Sequence, residues 1–202
     1  MKKIFTLMLV ALMGVSASFA QVKFGAKVGF DMTNFWGEDV NHGMKPAYQA
    51  GVFMEYKFNS NFGVAPEIVF ASQGGKFKIS DKKTGVGVID QYLDKKQTYT
   101  TNYMNIPVMF KWYATPNFSI DFGPQLGINV YSKYSIEDVD KAVDLKDNTK
   151  AVDFGLGLGG TYNLAENVFL QARYTMGLTK TFDVKDYDCK NGNIQISFGY
   201  RF

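Results

Sequence analysis

"VDFGLGLGGTYN" (residues 152–163) writes two different surfaces into one segment. Side chains of an extended strand switch faces at every residue. Val152, Phe154, Leu156 and Leu158 therefore share one face, while Asp153, Gly155, Gly157 and Gly159 share the other. The first face is apolar throughout. The second is a carboxylate followed by bare backbone, which a solvated strand face has no use for, because glycine weakens strands.

Seven further stretches alternate in the same way: "VKFGAKVGF", "AYQAGVFMEYKF", "FGVAPEIVFAS", "TNYMNIPVMFKWY", "FSIDFGPQLGINVY", "VFLQARYTMGLTK" and the final "NIQISFGYRF". Most run about ten residues, the length of a tilted transmembrane strand. Their connections alternate in length. "NSN" (59–61), "ATPN" (114–117) and "LAEN" (164–167) are tight turns of residues that turn geometry favours. Between them lie long polar connections at 31–46, 75–97, 132–150 and 181–192. An up-and-down barrel with its short turns at one rim predicts that order, as in outer-membrane barrels with short periplasmic turns and longer external loops.

The two faces keep their character along the chain. One collects Val28, Val52, Ile68, Phe70, Phe110, Phe122, Ile128, Leu156, Leu170 and Leu178. The opposite one collects Lys27, Glu55, Lys57, Glu67, Lys111, Asp121, Asp153, Arg173 and Arg201, interleaved with glycines. A soluble lipocalin-like barrel would place the charges in water. Inside a narrow eight-stranded barrel, however, glycines leave room for long charged side chains, and five cations facing four carboxylates nearly cancel. The reading is therefore all-β: an eight-stranded antiparallel up-and-down transmembrane β-barrel with a charged lumen and an apolar exterior.

Phe24, Phe58, Phe62, Trp112, Phe118, Tyr162 and Phe202 all fall beside the short turns, where an interfacial aromatic girdle belongs. Pro66, Pro107 and Pro124 interrupt strand-like runs. Bulges or broken hydrogen bonds are expected there, and a slip at any of them would swap the faces locally.

The chain has 202 residues and a formal charge of +3, of which Lys2 and Lys3 supply two. The dispersed remainder excludes a nucleic-acid-binding stripe. Lys2 and Lys3, the apolar "IFTLMLVALMGVSA" and the small Ser18 and Ala20 form a signal peptide over 1–20. Cleavage is expected after Ala20, with the barrel domain over 21–202. The single cysteine, Cys189, has no intramolecular partner and is expected to remain an external thiol.

"YMNIPVMFKW" (103–112), "DFGPQLGI" (121–128), "DFGLGLGGTYNL" (153–164), "ARYTMGLTK" (172–180) and "ISFGYRF" (196–202) occur in an order that resembles the PorT-like outer-membrane β-barrel family of Bacteroidetes. The resemblance spans the mature chain and its motifs are structural. It implies an outer-membrane location, and outer-membrane lipid and lipopolysaccharide as surroundings. It also implies that Phe198, Tyr200 and Phe202 form an insertion signal read by the barrel assembly machinery, with Phe202 closing the sheet on the first strand. One family member is tied to protein export, a role that strand motifs do not transfer.

Nothing in the sequence assembles an active centre. The only histidine, His42, lies in the first long connection without a nearby serine, so enzyme chemistry, a cofactor and a catalytic metal are not expected. Glu137, Asp138, Asp140, Asp144 and Asp147 in the third long connection lack the glycine and final glutamate of a calcium loop. Lysines 76, 78, 82, 83, 95 and 96 are placed to meet anionic headgroups, or simply water. The functional reading is a structural, adhesive or scaffold barrel acting through external loops that name no partner. A small passive pore is one alternative, and a soluble periplasmic lipophile-binding barrel is another.

Overall fold

The alternating stretches become eight antiparallel strands: β1 (Val22–Trp36), β2 (Lys45–Lys57), β3 (Phe62–Lys78), β4 (Lys96–Thr115), β5 (Phe118–Ile136), β6 (Val152–Asn163), β7 (Val168–Gly177) and β8 (Lys190–Arg201). The computed structural model describes residues 22–36, 42–78, 96–136, 143–144, 150–181 and 190–202. The expected signal peptide, Cys189 and most of the acidic and basic loop residues lie outside them.

Each strand pairs with its sequence neighbours, and β8 pairs with β1, so the sheet closes. At the seam Gly25 lies opposite Arg201, and Phe202 N–H donates to the Phe24 carbonyl at 2.8 Å. Closure leaves no row of unpaired backbone groups at a sheet edge, the condition for a sheet to survive in lipid.

The faces divide as the alternation requires. In β8, Ile194, Ile196, Phe198 and Tyr200 point outward and are exposed; Asn193, Gln195, Ser197 and Arg201 point inward and are buried. In β6, Phe154, Leu156 and Leu158 are exposed, Leu158 at 62%, while Asp153 is buried. A continuous exposed apolar band of this kind is foreign to a water-soluble monomer and marks a surface that meets an apolar medium.

Three expectations are refined. The strands at the long-connection end reach well into the segments read as loops: to Trp36 in β1, Lys78 in β3, Ile136 in β5, and from Lys96 in β4 and Lys190 in β8. Two-residue ladders add to this end, His42–Gly43 against β3 and Val143–Asp144 against β5. These extensions are mostly polar on both faces, so no alternation announced them.

The prolines break the ladder, as expected, and cause no slip. Pairing of β3 with β4 halts after Pro66–Val108 and resumes at Val69–Asn105; pairing of β4 with β5 halts after Pro107–Gln125 and resumes at Phe110–Phe122. Register is the same on either side of each gap, so the ladder breaks while the faces stay in phase. The register shifts lie elsewhere, at Asn102/Tyr103 and Tyr113/Thr115. The first of them turns β5 over, so that Asn129 and Ser132 both face inward across exposed Val130 and Tyr131.

The third change concerns the glycines, which make room for aromatic rings as well as charges. A Cβ on Gly199 would overlap the Phe169 ring, and one on Gly25 would overlap the Phe53 ring. Phe53 and Phe169 meet edge to face inside the barrel, with centroids 5.4 Å apart. Gly74 has a φ of 131°, which suits glycine alone, and its carbonyl accepts from Thr33 Oγ1 at 2.7 Å.

Candidate functional site: the barrel lumen

Inward positions of all eight strands converge on one polar network. At its centre Arg173 (β7) holds Glu67 (β3) with both guanidinium ends, Nη1 to Oε2 at 2.9 Å and Nη2 to Oε1 at 2.8 Å. Lys27 (β1) donates to the same Glu67 Oε2 at 2.6 Å and to Gln171 Oε1 (β7) at 3.0 Å. Gln171 carries the chain onward through Nε2 to Asp121 Oδ2 (β5) at 3.1 Å and to Thr161 Oγ1 (β6) at 3.0 Å. Thr161 and Ser119 hydroxyls also donate to Asp121.

Nearer the short turns, Glu55 (β2) accepts from Lys111 (β4) at 3.0 Å, Arg201 (β8) at 3.2 Å and the Tyr113 hydroxyl at 3.0 Å. Lys111 approaches Asp121 at 3.8 Å, which joins the two clusters. Arg201 also lies over the Phe169 ring at 4.4 Å and donates to Asn163 Oδ1 at 2.9 Å. Four cations thus meet three carboxylates, each carboxylate multiply bonded, which is how ionised groups persist away from water.

Seven of the nine lumen residues expected from sequence join this network: Lys27, Glu55, Glu67, Lys111, Asp121, Arg173 and Arg201. Asp153 is buried apart from it, accepting from Thr179 Oγ1 at 2.5 Å and Asn191 Nδ2 at 2.9 Å. Lys57 stands half-buried at the rim, its ammonium 4.1 Å over the Tyr113 ring. Asp31 was missed. It is fully buried in β1 and accepts from Gln49 Nε2 at 2.8 Å, and Gln49 also donates to Ser197 Oγ at 3.1 Å.

The seven aromatics read as a girdle are all exposed on the outer wall, Phe202 most of all at 76%. Phe198 and Tyr200 share that face, and the Tyr200 and Phe202 rings lie 5.8 Å apart. No group of histidine, cysteine and carboxylate side chains able to hold a metal occurs among the described residues.

The model of a family described as "outer membrane protein beta-barrel domain" matches residues 18–183. The chain belongs to that family. Several solved outer-membrane proteins share the barrel. Neisserial surface protein A is 12% identical, with a TM-score of 0.55 over 89% of this chain and 97% of its own. A major outer membrane protein of Thermus thermophilus is 15% identical, with a TM-score of 0.51 over 90% of this chain and 99% of its own. The attachment invasion locus protein of Yersinia pestis, solved with a heparin analogue, is 14% identical, with a TM-score of 0.50 over 90% of this chain and 99% of its own. No curated protein matches the chain. At these identities the structures share the fold, and the family places the chain among outer-membrane barrels.

Proposed function

We propose that this outer-membrane barrel is a structural, adhesive or scaffold protein that works through its long-connection end. The observation that carries the reading is the filled lumen. All eight strands feed a side-chain network across a barrel of the size whose interior side chains just fill, so transport has little room. What remains for function is the rim where β3, β4 and β5 run on as two-sided polar strands.

The aromatics at the opposite rim serve as the interfacial girdle, with the short turns in the periplasm. The outward Phe198, Tyr200 and Phe202 serve as the insertion signal for the assembly machinery. Residues 1–20 act as the export signal, and the finer affiliation is the PorT-like group, on the strand motifs and their order. Lipopolysaccharide and phospholipid are the surroundings. A lipophile carrier would need the reverse distribution of faces, and a steady pore would need an emptier lumen.

Orientation is tested with the native Cys189, which lies in the connection between β7 and β8. A membrane-impermeant maleimide added to intact cells should label it without permeabilisation. Labelling only after permeabilisation would put this end in the periplasm and overturn the reading. Replacing the long connections with short turns should then abolish cell-surface attachment while the barrel still assembles.

A further inference from the structure

Pro66, Pro107 and Pro124 are lateral neighbours. Pro66 lies opposite Val108, and Pro107 lies opposite Gln125, each next in chain to the following proline. Together they draw a seam across β3, β4 and β5 where ladder pairing is interrupted. Beside that seam, Gly123 of β5 lies directly opposite Gly157 of β6, and Pro124 opposite Leu156. Both glycines occupy inward positions, so at this point the wall is one backbone thick, and the buried Met109 side chain stands behind Gly157.

On the outer surface this thin wall floors an apolar groove of about 520 Å³. Its sides are Phe110, Phe122, Leu156, Leu158, Tyr174 and Met176, and almost no polar surface enters it. The groove is continuous with the exposed apolar band, so its occupant comes from the medium that covers that band. Its size falls within the roughly 300–1,000 Å³ of small-molecule sites. Phe110, Phe122 and Leu158 lie four or five residues from the short-turn ends of their strands and Met176 lies eight from its own, so the groove sits near mid-height of the wall.

We propose that this groove is a binding site for the terminal part of one phospholipid acyl chain. A flat strand wall offers an acyl chain one side of contact, whereas the open groove adds ring faces and branched side chains along its flanks. Dispersion then holds that chain more firmly than the chains around the rest of the barrel. The site rests on the transmembrane reading of the barrel.

The test uses the mature chain refolded into phosphatidylcholine vesicles that carry a phospholipid with a diazirine at its acyl terminus. After photolysis, adducts are mapped by peptide mass spectrometry. Labelling should concentrate on the groove residues, several-fold above depth-matched residues of the opposite wall such as Val28 and Val52. In Leu156→Trp the indole should fill the groove and bring labelling down to the wall average, with Leu158→Phe as a second variant should the first fail to assemble. Even labelling around the barrel would overturn the site while leaving the barrel in the membrane. Protein that fails to float with the vesicles would overturn the transmembrane reading and the site together.

Discussion

Glu67 and Arg173 face each other across the lumen from β3 and β7, joined by two parallel hydrogen bonds of 2.8 and 2.9 Å. Lys27 completes the triad from β1 at 2.6 Å. One carboxylate therefore answers two buried cations on strands far apart in sequence. Glu67→Ala would strip both of the carboxylate they share and leave Lys27 only its bond to Gln171, and breaking a buried pair costs about 3–5 kcal/mol. We expect the urea midpoint of the assembled barrel, followed by gel migration, to fall accordingly. Replacing the triad together by Met and Leu should recover much of the loss, since well-packed apolar substitutes for buried ion clusters are often neutral or stabilising.

Gly199 and Phe169 make a second, independent test. Because a Cβ on Gly199 would overlap the ring, Gly199→Ala forces the ring or the β8 backbone to move. A cost of about 1–3 kcal/mol is expected for such overpacking. In the double variant with Phe169→Leu the cost should shrink, giving a coupling within the range of about 0.5–3 kcal/mol typical of touching residues. Additive effects would mean that the ring does not occupy the space above the glycine.

The outer wall should respond to charge by depth. Arginine on a lipid-facing strand costs about 2–4 kcal/mol at the bilayer midplane and about 0–1 near the interfaces. Leu156→Arg near the middle of β6 should therefore destabilise the barrel far more than Tyr162→Arg at the turn-side rim. Equal small effects, measured by unfolding in lipid vesicles, would mean that the apolar face meets water.

In planar bilayers the wild-type barrel should show no steady conductance, because the network from Arg201 to Arg173 spans the lumen. The combined Lys27→Ala, Glu67→Ala and Arg173→Ala variant leaves the Glu55 cluster and the Phe53–Phe169 pair in the lumen, so conductance should appear only when Glu55, Lys111, Phe53 and Phe169 are truncated to alanine as well. A steady wild-type current would revive the pore reading.

Much of this was legible in the sequence because a barrel in lipid writes its two surroundings onto alternate residues. "DFGLGL" states inside and outside in six letters, and seven lumen charges could be named from such runs. Legibility ended where both surroundings are wet. Asp31 escaped notice because the apolar alternation of β1 fails soon after it: Met32 still faces outward, but beyond it polar Asn34 takes the outer face and Phe35 the inner one, although the strand continues to Trp36. The extensions of β4 and β5 were missed for the same reason. Contact partners were also out of reach: nothing local links Gly199 to Phe169 or Gly25 to Phe53. The prolines announced a broken ladder correctly, but whether a break also shifts register depends on the partner strands. At 107 and 124 those strands keep step.

The most direct measurement is to express the full-length chain, isolate outer membranes, extract them with carbonate and run unboiled and boiled samples side by side on SDS gels. A closed barrel resists SDS until heated, so we expect the protein in the carbonate-resistant membranes to migrate as a fast unboiled band that slows on boiling. A soluble periplasmic protein with identical mobility before and after boiling would contradict the account, because the exposed band from Phe154 to Phe198 would then have no lipid to meet.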